Sequence, residues 1–106
     1  MAKTRISKEF SIEGEIQSEE LVEVEGSVRG RVYVKGNDLR VRSGGVVEAE
    51  VEASSVHVEG ELRGNVFAGE ILFIYPSGKF EGAVKTARIQ IADGAVFKGN
   101  IDMIER

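Results

Sequence analysis

The residues able to do chemistry are few and poorly placed for it. His57 is the single histidine of this 106-residue chain and lies between Val56 and Val58. Strand alternation turns it outward in a column with Glu23, Arg40 and Gln90, as a solvated face residue and not a base or ligand. Carboxylates come in pairs two residues apart, Glu13 with Glu15 and Glu48 with Glu50. That spacing puts both on one face of a strand, where they serve acid–base work or a hard cation only inside a cleft. No enclosing loop accompanies them, so they are read as solubilising. Cysteine is absent, which removes disulfides and thiolate metal sites and fits a reducing cytosol. Neither G-x-x-x-x-G-K-[ST] nor G-x-G-x-x-G occurs, so no phosphate cradle is expected. The expectation is a non-enzyme with no catalytic residue, no metal and no cofactor.

The elements that hold these side chains follow from a repeat. The pattern apolar, any, Gly or Ala, any, apolar occurs six times, as Ile12–Ile16, Val28–Val32, Val47–Val51, Leu62–Val66, Phe80–Val84 and Phe97–Ile101. Its centres are Gly14, Gly30, Ala49, Gly64, Gly82 and Gly99, so the period is about 17 residues. A second apolar pair precedes most centres: Val22 with Val24, Leu39 with Val41, Val56 with Val58, Leu72 with Ile74, and Ile89 with Ile91. It stands eight residues ahead in short rungs and ten in long ones, the difference falling in turn-forming text such as Arg42–Gly45, Tyr75–Gly78 and Ala92–Ala95.

Val and Ile alternating with Glu, Arg and Lys favour strands, and no window sustains the i, i+3, i+4 spacing of a helix. One such unit cannot bury its apolar side, but units stacked at the strand spacing of about 4.8 Å can. The chain therefore reads as one all-β domain, a parallel β-helix of about six rungs. Alternation points each central Gly or Ala inward, at a corner too tight for more. Register has an internal check: the residues before the centres are Glu13, Arg29, Glu48, Arg63, Glu81 and Lys98, alternating in sign all the way along.

Boundaries are set at a basic tail over 1–9, read as disordered, a β-helical domain over 10–103 and a terminal stretch over 104–106. A net charge of −4 opposes nucleic-acid binding. No apolar run is long enough to span a membrane and residues 1–10 lack the core of a signal peptide, so a cytoplasmic location is expected. Lys3, Arg5 and Lys8 with Ile6 form a candidate contact to an anionic inner membrane. Tyr33, Phe67 and Phe73 are outward aromatics and candidates for lateral contact between rods.

A β-helix ends in a rung whose backbone groups and apolar interior face the next layer. Phe10, Ile12, Phe97, Ile101, Met103 and Ile104 load the two ends with apolar groups and are the expected polymer interface, the partner being the chain itself. The pattern resembles the bactofilins, a family of bacterial polymer-forming cytoskeletal proteins, over residues 10–103. The resemblance is carried by residues 24–32 (VEGSVRGRV), 58–66 (VEGELRGNV) and 94–101 (GAVFKGNI). It implies a right-handed, three-sided β-helix that assembles without nucleotide, often at the inner membrane, to scaffold cell shape or to localise cell-envelope and polarity proteins. It also implies that an apolar residue near the last rung, here Phe97, mediates polymerisation, and that the joints are symmetric. The alternative is a dimeric β-helical binding module resembling the C-terminal domain of the Min-system septum inhibitor. A hexapeptide-repeat acyltransferase would need a strict six-residue period and a cleft histidine.

Overall fold

Alternating β-branched and charged residues keep nearly the whole backbone extended, and a computed structural model shows ten strands and no helix among the described residues. The structure describes residues 3–7 and 9–104, with side chains from residue 6 onward. The strands are β1 (Lys3–Ile6), β2 (Ser11–Ser18), β3 (Leu21–Val24), β4 (Ser27–Val34), β5 (Asp38–Val41), β6 (Val46–Val58), β7 (Glu61–Ile74), β8 (Lys79–Thr86), β9 (Ile89–Ile91) and β10 (Val96–Met103). Every pairing is parallel and joins a strand to the one a full turn away.

The result is a parallel β-solenoid of about five turns. Six copies of the motif bound five intervals, which is why about six rungs were expected from the sequence. The register is the expected one: Glu13 pairs with Arg29, Arg29 with Glu48, Glu48 with Arg63, Arg63 with Glu81 and Glu81 with Lys98. Ion pairs form within this column between Arg29 and Glu48 at 3.9 Å and between Arg63 and Glu81 at 3.6 Å. Both are solvent-exposed and contribute at most a few tenths of a kcal/mol, so they fix register more than stability.

The interior is a set of apolar columns. Val22, Leu39, Val56 and Leu72 form one and are fully buried; Val28, Val47, Leu62 and Phe80 form another. Long corners close as four-residue turns, with the Gly45 amide donating to the Arg42 carbonyl at 2.8 Å and the Gly78 amide to that of Tyr75 at 2.8 Å. A second corner also varies in length, since the register between β6 and β7 shifts between Ala53 and Ser55.

Three expectations need correction. The motif glycines are not small because they face a crowded interior. Gly82 has φ +135°, a region closed to other residues, and a Cβ there would run along the stack into the carbonyl oxygen of Gly64. Only Ala49, which has no positive φ, packs inward and is buried. The stretch read as a disordered tail contributes β1, which pairs with β3 and buries Ile6. Finally, the column containing His57 is only partly a solvated face: Arg40 and Gln90 are exposed, but His57 is half-buried. Glu23 is buried, its carboxylate taking Nη1 of Arg42 at 3.0 Å while Nε of the same guanidinium holds Glu59 at 2.9 Å.

Candidate polymer interface

The two ends of the stack finish differently. At the C-terminal end β9 and β10 carry their inward-facing residues to the last level, where no further strand among the described residues covers them. Ile91 is 42%, Ile101 43% and Met103 47% exposed, although the residues directly beneath them, Ile74, Val84 and Thr86, are buried. Phe97 lies flat on Phe80, with ring centroids 5.1 Å apart and planes 6° from parallel. One face of the Phe97 ring is thereby occupied, and the ring remains partly exposed. Ile104 follows with its amide donating to the Thr86 carbonyl at 2.8 Å, which extends the ladder between β10 and β8 by one bond.

At the N-terminal end Ile12 and Ile16 are half-buried and packed against the core, and Ile6 is buried. Phe10 is the most exposed large apolar residue there. Around this rung the charge is acidic: Glu9, Glu13, Glu15, Glu19 and Glu20 occupy residues 9–20 with no Lys or Arg among them. The fold thus brings Phe97, Ile101, Met103 and Ile104 together at one end and places Phe10 and Ile12 at the other. Sequence reasoning passed over Ile91; its place in the column of Val24, Val41, Val58 and Ile74 was the available signal.

The remaining candidates scatter. Ile6 is taken into the core, which leaves the candidate membrane contact without its apolar anchor; the side chains of Lys3 and Arg5, and all of Lys8, lie outside the described residues. Tyr33 and Phe67 are each 40% exposed. Phe73 is half-buried in an aromatic cluster, 4.5 Å from Tyr75 and 6.4 Å from His57 between ring centroids. His57 Nδ1 sits 3.3 Å from the Tyr75 hydroxyl, and Nε2 is 3.9 Å from Asp38. Burial first, and the Arg40 guanidinium second, hold its pKa below the ordinary histidine value, against a smaller opposing pull from Asp38 and Glu59. The imidazole is thus packed into an aromatic cluster with Phe73 and Tyr75. Among the described residues no group of three or more metal-ligating side chains occurs, and no helix is long and apolar enough to cross a membrane.

Comparison with known proteins accords with this arrangement. A family model described as "Bactofilin: Polymer-forming cytoskeletal" matches residues 4–102. Bactofilin BacO of Myxococcus xanthus (strain DK1622) is 40% identical over 103 residues, 97% of this chain and 81% of BacO. Bactofilin BacP of the same strain is 32% identical over 100 residues, 94% of this chain and 41% of BacP. No solved structure matches. The family match favours a polymer over the dimeric binding module.

Proposed function

The chain belongs to the bactofilin family of polymer-forming cytoskeletal proteins, and on that premise we propose that it assembles end to end through its terminal rungs, with Phe97 at the centre of the tighter joint. The observation that carries this reading is the open C-terminal level, where Phe97 stacks on Phe80 and Ile91, Ile101 and Met103 continue the interior columns into solvent. A second copy placed there extends each column by one more apolar residue.

Magnitudes limit what this surface does alone. Full burial of such a side chain is worth about 1.5–3 kcal/mol, and three that are half exposed, with Phe97, would contribute roughly 4 kcal/mol. That is one copy's side only, and even with a similar amount from the partner's end it does no more than match the cost of association, roughly 4–15 kcal/mol. The backbone N–H and C=O groups along the outer edge of β10 therefore have to hydrogen-bond across the joint, with the strands antiparallel where the joint is two-fold.

Assembly of this kind needs no nucleotide, because stacking and ladder formation are downhill without hydrolysis. A filament so built would serve as a cytoplasmic scaffold that organises cell shape or localises cell-envelope and polarity proteins. Attachment to the inner membrane would fall to the basic side chains of Lys3, Arg5 and Lys8 without Ile6, and would depend on repetition along the polymer for its strength.

The test is negative-stain microscopy of purified protein in nucleotide-free buffer. The wild type is expected to form filaments, and Phe97→Arg to remain as short particles, since a guanidinium trapped between levels would be desolvated without a partner. Filaments of normal length from that variant would place the joint elsewhere.

A further inference from the structure

One outward column differs from its neighbours in how its charges are satisfied. In the column beside it Arg31 meets Glu50 at 3.4 Å, and two levels of the motif column pair as well. The column after it runs Gln17, Tyr33, Glu52, Phe67, Lys85, Asp102, one residue per level. Here Phe67 separates Glu52 from Lys85, and neither these two nor Asp102 makes an ion pair within 4 Å among the described residues. Tyr33 and Phe67 stand out from the face, each 40% exposed. Between this column and its neighbour runs an open groove of about 650 Å³, whose far wall drops to the short side chains Asn65 and Ala83.

The order of residues along that column is self-complementary. A two-fold axis through Phe67, perpendicular to the stack, sets Phe67 against the partner's Phe67. One level away it sets Glu52 against the partner's Lys85, and two levels away it sets the Tyr33 hydroxyl as donor to the partner's Asp102. Each contact off the axis occurs twice. Parallel, in-register pairing of the same faces would instead oppose Glu52 to Glu52 and Lys85 to Lys85, which is destabilising. We infer that this face is a lateral interface between two copies of the chain running antiparallel, with Phe67 on the two-fold axis and its ring entering the groove beside Asn65 and Ala83.

Size decides where such pairing occurs. Five levels at about 4.8 Å spacing span roughly 20 Å, and a leg of three residues is roughly 10 Å wide, so each copy offers on the order of 200 Å². A stable pair of free proteins buries about 800 Å² on each side. Single copies therefore stay apart, and rows of copies in two filaments pair by repetition of a weak contact. The inference thus rests on the end-to-end reading above.

Filament width in negative stain at low salt tests it. Wild-type filaments are expected as pairs. Lys85→Glu and Phe67→Ser should both give filaments of normal length that remain single, and the double exchange Glu52→Lys with Lys85→Glu should restore pairs, because it preserves the two-fold complementarity. Persistent pairing in Lys85→Glu, or failure of the double exchange to restore it, overturns the proposal. So do single wild-type filaments, whose bare column would then be a docking strip for another protein. A wild type that forms no filaments at all defeats the end-to-end reading and this inference with it, so the two failures are distinguishable.

Discussion

Phe80–Val84 and Phe97–Ile101 are the same motif in register, one level apart. Phe80 and Val84 are 1% and 2% exposed, whereas Ile101 is 43% exposed and Phe97 is covered on one face. Chemistry does not separate these rungs; the presence of a next level does. In a stack every rung is both a product of the one below and a template for the one above, and the last rung carries its template function unspent. The outward residues do not follow this rule: in the column of Glu23, Arg40, His57, Phe73 and Gln90, Glu23 is buried under Arg42, whereas Arg40, within the stack, is exposed just as Gln90 is at the last level.

The largest effect should come from emptying the equivalent position in each rung. Phe80→Ala removes a fully buried ring and is expected to cost about 3–5 kcal/mol in denaturant unfolding of the unpolymerised protein. Phe97→Ala should cost markedly less in the same measurement. Equal losses would mean that the last rung is as closed as the one beneath it.

Gly82→Ala and Gly14→Ala form the next pair. Both glycines have strongly positive φ, +135° and +129°, but a Cβ at Gly82 would strike the Gly64 carbonyl whereas one at Gly14 meets nothing within 4 Å. Gly14→Ala should lose only the backbone strain, about 1–3 kcal/mol. Gly82→Ala should lose more, because a neighbouring rung must move. If the two variants unfold at the same denaturant concentration, backbone conformation alone demands the glycine.

The smallest effect is a pH slope from the partly covered outward column. His57 has a folded pKa below its unfolded value near 6.5, so the unfolded chain binds more protons in the interval between them. Its contribution to stability is therefore complete above about pH 6.5 and declines as pH falls towards the folded value. Facing groups are Asp38, Arg40, Glu59 and Tyr75. His57→Gln should flatten that part of the profile, measured as thermal midpoint against pH; an unchanged slope would assign it to the carboxylates.

Much of this was legible in the chain. The repeat of Val, Ile and Leu around a small centre gave the solenoid and its register, down to the alternation from Glu13 to Lys98, because strand periodicity and parallel stacking leave one way to align equal rungs. The open end was legible in outline from Phe97, Ile101 and Met103. Ile91 was missed as part of that surface, since its exposure depends on being in the last level and not on its own neighbours in sequence. Phe73 and His57 were read as free outward residues for a related reason: Tyr75, two residues beyond Phe73 at the start of a corner, packs on both, and its contact with His57 comes from the neighbouring level, which no periodic signal marks.

The glycines mark the division most clearly. By itself the sequence determined that a small residue recurs every 17 or so positions, and therefore which side chains align, although its six motif copies overstated the turns, of which there are about five. Only the tertiary structure decided why it is glycine at every centre but Ala49, since the positive φ is common to those glycines and, beyond the first rung, a Cβ would also collide with the carbonyl of the preceding rung. It likewise decided which copies of an identical motif are core and which are surface. Burial in a stack is a property of position along the axis, and a local pattern does not contain it.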